Sequence, residues 1–170
     1  LINFPLKIEL NSSLPGFSLR LFSSPFGYDL RFFEDSGKEL LHEIETFDIN
    51  NNRLVAWVKI PELSNSTSFT ACWGNDDLAQ YPPNYSINGE VWTEDFKGVW
   101  HLRTASSSTL TDSTSNRNHL SDPHGKNNPS SIMGGGRSFL GEPDELILAP
   151  DSESLRGLVD QRYAVSSWIR

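Results

Sequence analysis

The sequence predicts an all-β chain, a small antiparallel β-sandwich followed by a second, incomplete β module. Three observations predict it. Short apolar runs alternating with polar residues recur between residues 4 and 73. Brief turns rich in Gly, Pro, Asn and Asp separate them. After residue 98 such runs become sparse, and Ser, Thr, Asn and Gly dominate a long intervening stretch. The change of pattern falls between Val91 and Leu102, so the expected organisation is a sandwich over 1–85, a linker over 86–98 and a truncated second module over 99–170.

Each element has its own justification. Phe4, Leu6, Ile8 and Leu10 alternate with polar residues and Pro5, which predicts a strand with one buried face. Tyr28 to Phe33 forms the next strand, and Glu34 to Lys38, with Gly37, reads as a hairpin turn. Leu40 to Phe47 follows as one strand, with Leu41, Glu43, Glu45 and Phe47 on one face and Ile44 on the other. The strand Arg53 to Ile60 is the clearest, because Leu54, Ala56, Val58 and Ile60 make an unbroken apolar face that Pro61 closes. Phe69 to Trp73 completes the set. It contains Cys72, the single cysteine, whose apolar neighbours predict a buried thiol with no activating base beside it. Beyond the seam, Val99 to Leu102 reads as a strand with Trp100 and Leu102 in the core. Further strands are expected near Phe139, at Leu146 to Leu148 and from Val165 to Ile169.

Composition excludes some functions. With 36% hydrophobic and 21% charged residues the chain has the makings of a folded domain. Its net charge of −8 opposes nucleic acid and anionic lipid, which require clustered Lys and Arg. No apolar run reaches the roughly 18 residues that cross a bilayer, so no membrane insertion is expected from this segment. Leu1 to Leu6 already reads as a strand in progress, and the chain stops at Arg170 inside an expected strand. The sequence is therefore read as cut from a longer protein, whose targeting signal would lie outside it.

Five pieces taken in order carry a resemblance: Phe4 to Leu6, Gly27 to Phe32, Glu43 to Glu45, Trp57 to Pro61 and Trp73 to Asn75. Together they resemble the bacterial family called domain of unknown function 2341 over about residues 1–85, with His42 and Cys72 standing where that family usually has Tyr. Residues 92–170 resemble the N-terminal part of a laminin G-like, concanavalin A-like jelly roll, through Gly98 to Leu102, Asp112 to Asn118, Gly134 to Phe139 and Ala164 to Arg170. The first resemblance implies a small sandwich in secreted or cell-envelope proteins, sometimes in biopolymer transport, with no catalytic residues assigned. The second implies two curved antiparallel sheets.

Several constellations invite a chemical reading. Glu43 and Glu45 share a strand face about 7 Å apart, a separation glycosidases use, but the apolar flanks Leu41 and Phe47 favour a solvated acidic stripe paired with Arg31 or Lys59. His119 and His124 are close in sequence but lack the spacing and third ligand of a zinc site. The run Gly134 to Gly136 lacks the Lys-Ser or Lys-Thr of a phosphate loop and fits close backbone packing. Asp112 to Asn116 and Glu142 to Glu145, with Asp112 and Asp144 as carboxylates, offer oxygen ligands suited to calcium, or else an Asx turn. Trp92, Tyr81 and Tyr85, with Asp112, Asn116 and Asn118, are the candidate sugar-stacking and hydroxyl-binding residues.

The expected function is a non-catalytic extracellular or cell-envelope module pair. Its expected partners are a polysaccharide or cell-surface glycan and the other domains of the same larger protein. A structural or protein-interaction spacer is the alternative, and a glycoside-processing enzyme a third.

Overall fold

A computed structural model describes residues 1–93, 95–103, 109–121, 126–127, 135–143, 145–156, 158 and 162–167. The chain divides into two compact units, Leu1–Thr93 and Glu94–Arg170. The first therefore extends past the expected boundary at 85, because Val91 and Trp92, placed in the linker by sequence, are buried.

In the first unit, β1 (Ile2–Leu10), β4 (His42–Asp48) and β5 (Arg53–Glu62) form an antiparallel sheet of order β1-β5-β4. A second sheet has the order β3-β2-β6, from β2 (Arg31–Glu34), β3 (Glu39–Leu40) and β6 (Phe69–Cys72). The register sets Ile8 against Ala56, Leu6 against Val58 and Leu10 against Leu54, so alternation on both strands points one apolar face inward. That face meets Phe32 and Leu40 of the second sheet, with Phe69 and Ala71 packed alongside, and the two sheets share one core. Each large aliphatic side chain buried there stabilises the fold by about 1.5–3 kcal/mol. Phe17, Leu19 and Phe22 close it from the long loop after β1, where Phe22 stacks on Trp73 with ring centres 5.3 Å apart. Asp29 pins that loop by accepting from the backbone N–H groups of Ser23, Ser24 and Gly74.

Three expectations are corrected in this unit. Leu40 to Phe47 is not one strand. The chain leaves β3, which pairs with β2, and enters β4, which pairs with β5, so it changes sheets at Leu41. Within β4 the register slips between Ile44 and Thr46 at a β-bulge. The extra residue reverses the facing, so Phe47 packs on the core beside Ile44 rather than sharing a face with Glu43. Cys72 is exposed rather than buried. Phe69 and Ala71 of β6 are its partly buried residues, and strand alternation sends Thr70 and Cys72 the other way.

In the second unit the described residues form two short ladders. β7 (Thr109–Leu110) pairs with β8 (Leu120–Ser121), and β9 (Lys126–Asn127) pairs with β10 (Arg137–Ser138). Leu110 and Leu120 are buried, and Leu148 bridges to Ser121. The two curved sheets of a jelly roll are not among them. Val99 to Leu102 is not a continuous strand: Trp100 makes a single bridge to Asp112, and Leu102 turns into the left-handed region at φ 54°. Residues 165–167 make no strand pairing, and the rest of that expected strand lies outside the described residues. Within the run Gly134 to Gly136, close packing accounts for Gly135, while Gly134 lies outside the described residues. A Cβ on Gly135 would sit 2.5 Å from the Arg103 Cα, and one on Gly98 would sit 2.2 Å from the Trp100 ring.

Candidate functional site

The densest grouping of polar and aromatic side chains in the first unit lies where residues 85–92 cross β4. The crossing starts after Pro82 and Pro83, in a four-residue helix, α1 (Tyr85–Asn88). Its C-cap Gly89 adopts φ 92°, the left-handed turn that ends a helix, and its carbonyl accepts from the Trp92 N–H. Lys59 of β5 donates from Nζ to the Glu90 carbonyl at 2.8 Å.

On the outer face of the β1-β5-β4 sheet, the Trp92 indole donates to Glu43 Oε2 at 2.7 Å and the Trp57 indole donates to Glu45 Oε2 at 2.6 Å. The two rings lie 5.4 Å apart, tilted by 53°. The sequence-predicted sharing of a face by Glu43 and Glu45 is therefore present, and each carboxylate accepts from a tryptophan. Glu45 is itself buried. A buried indole requires an acceptor, and these carboxylates supply it.

On the inner side, His42 lies between Phe32 and Tyr85, with ring centres at 5.2 and 5.4 Å. The Tyr85 hydroxyl donates to Glu39 Oε1 at 2.5 Å and lies 3.1 Å from His42 Nδ1. Glu39 Oε1 also meets Arg31 Nε at 3.2 Å, while Arg31 donates from its guanidinium to the carbonyls of Tyr28 and Leu30. Burial, and secondarily the Arg31 charge, holds the His42 imidazole down to about 4, against a weaker pull upward from the Leu40 backbone. Burial, together with the Glu39 carboxylate, pushes the Tyr85 phenol well above the usual tyrosine range. Sequence reading missed this network. Its one signal was the parity of His42, which shares a face with Ile44.

The predicted ligand-binding residues are dispersed. Trp92 is 7% exposed and engaged with Glu43, so it presents no stacking face, and Tyr85 is tied to Glu39. Burial removes Trp92 as a stacking platform, whereas Tyr85 is half-buried with its hydroxyl engaged by Glu39 and His42. Tyr81 is 71% exposed. In the second unit Asn118 is buried and donates from Nδ2 to the Lys97 carbonyl and to Ser154 Oγ. Asn116 donates to the carbonyls of Phe96 and Lys97.

Asp112 is fully buried. Its Oδ1 accepts from the N–H groups of Val99 and Thr114, and its Oδ2 accepts from Thr114 Oγ1 and the Asn118 N–H. This is the Asx-turn alternative, with both oxygens occupied by protein donors. His119 Nδ1 accepts from the Asp112 N–H. Asp144 and His124 lie outside the described residues. Among the described residues no group of three or more His, Cys, Asp or Glu is placed to hold a metal, and no helix is long and apolar enough to cross a membrane.

Residues 27–94 match the family model described as Domain of unknown function (DUF2341). The match leaves out β1 and runs one residue past the first compact unit, and it includes residues 85–92 and β4. No curated protein and no solved structure matches the chain.

Proposed function

We propose that this chain is a non-catalytic structural or protein-interaction module of a larger extracellular or cell-envelope protein. The observation that carries this reading is the engagement of the candidate ligand groups within the fold: Trp92 with Glu43, Trp57 with Glu45, Tyr85 with Glu39, and Asp112 with four donors. Glycosidase chemistry requires an acid and a nucleophile or base facing a sugar, whereas Glu43 and Glu45 face indole N–H groups. Glycan contact remains the second reading because Tyr81 is exposed. A glycan array with the full chain and its Tyr81→Ala variant separates them. No glycan retained above background supports the spacer; retention lost in Tyr81→Ala establishes glycan binding instead. The variant Glu43→Gln with Glu45→Gln is expected to lower the melting temperature, and a hydrolytic activity abolished by either change would overturn the non-catalytic reading.

A further inference from the structure

Residues 85–92 grip an edge strand from both sides. β4 ends the β1-β5-β4 order and has no strand partner on its other side among the described residues. Adjacent residues of a strand face opposite ways. His42 faces inward, opposite Val58, and is held by Tyr85; Glu43 faces outward and is held by Trp92. The helix within the grip adds little strength of its own, since four residues lie far below the length at which helices hold together unaided.

We propose that residues 85–92 are an acid-released clasp on β4, opened by protonation of His42. A phenol has one proton, and Tyr85 gives it to Glu39, so Nδ1 of the neutral imidazole carries the hydrogen facing the phenol oxygen and Nε2 carries none. A proton taken from solvent onto Nε2 puts a positive charge on a buried ring packed beside Phe32 and near Arg31. The groups facing His42 are Arg31 from β2, Glu39 from β3 and Tyr85 from α1, while its partner on β5 is Val58, which does not titrate. Glu39 is already shared between Arg31 and Tyr85. The imidazolium gains water when the Tyr85 ring lifts away. The freed segment then exposes the β4 edge and separates Trp92 from Trp57. The low pKa of His42 keeps the clasp closed at neutral pH.

The test uses the full chain between pH 7 and 3, following hydrogen exchange corrected for its intrinsic pH dependence and the NMR titration of the His42 imidazole. Protection of residues 42–48 and 85–92 is expected to fall about tenfold or more between pH 6 and 4, with β1 and β5 still protected. The midpoint should coincide with that of His42. Glu39→Gln, which removes the neighbouring titrating carboxylate, should leave this opening in place, and His42→Phe or His42→Gln should abolish it. The proposal is overturned if the opening keeps its midpoint in either His42 variant, disappears in Glu39→Gln, or occurs only together with loss of protection in β1 and β5. Should neither His42 variant fold, a wild-type opening whose midpoint departs from the imidazole titration overturns it equally.

Discussion

The sequence places Trp92 in a linker as a candidate stacking aromatic, and in the structure it is a buried anchor whose indole needs Glu43. Nothing local distinguishes the two states, because the acceptor lies 49 residues away. Trp92→Ala should destabilise the first unit by about 3–5 kcal/mol. A double-mutant cycle of Trp92→Phe with Glu43→Gln should show a coupling of about 1–2 kcal/mol, and additive effects would mean the bond contributes nothing. His42 gives a pH dependence of definite sign. Its value in the closed fold, about 4, lies below the unfolded 6.5, so between them the unfolded chain takes up the proton and the closed fold does not. Its contribution is fully present above pH 6.5, is lost as pH falls toward 4, and amounts to about 3 kcal/mol at most. Urea melts at stepped pH values measure this, and a His42→Phe profile as steep as wild type over that window would refute it. Calcium is a further case. The oxygens of Asp112 already have four protein donors, so excess calcium or a chelator should leave the melting temperature unchanged. An upward shift with calcium would show that metal displaces those donors.

Strands were legible where alternation ran unbroken. β5 exposed its register in the sequence because Leu54, Ala56, Val58 and Ile60 are apolar without exception, although the strand runs through the expected stop at Pro61 to Glu62, which pairs with Ile2. β4 was only half legible, since a bulge leaves the residue types unchanged while reversing which of them face inward. The pocket for Phe47 depends on that reversal: its ring lies 5.3 Å from Phe22 and covers Gly27, where a Cβ would sit 2.7 Å from the ring. Gly27 also adopts φ 77°, so Gly27→Ala combines backbone strain with a clash. A loss of about 2 kcal/mol or more is expected in urea melts, and a neutral outcome would mean that the loop and Phe47 shift freely. At the centre of β5, Val58→Asp places an unpaired charge in the core, and cooperative unfolding should be lost or weakened by about 3 kcal/mol or more.

Domain limits were the least legible feature, because the sequence pattern of strands ended near Trp73 while the first unit continues to Thr93. The extension is carried by single side chains, which leave no periodic trace. The second unit has only short ladders among its described residues, and Phe139, Leu140, Leu148 and Tyr163 are exposed on it. A fragment of residues 94–170 should therefore self-associate, as light scattering at rising concentration would show. For the first unit, the buried Val91 and Trp92 decide where it can be cut. Together they supply roughly 4–6 kcal/mol of burial, against a total stability of about 5–14 kcal/mol for a domain of this size. The segment beyond 85 also brings the Glu43 and Lys59 contacts. Residues 1–93 should thus give a single cooperative urea transition, while residues 1–85 should still unfold cooperatively but at much lower urea. Equal midpoints for the two fragments would mean that Val91 and Trp92 merely rest on a sandwich already complete at residue 85.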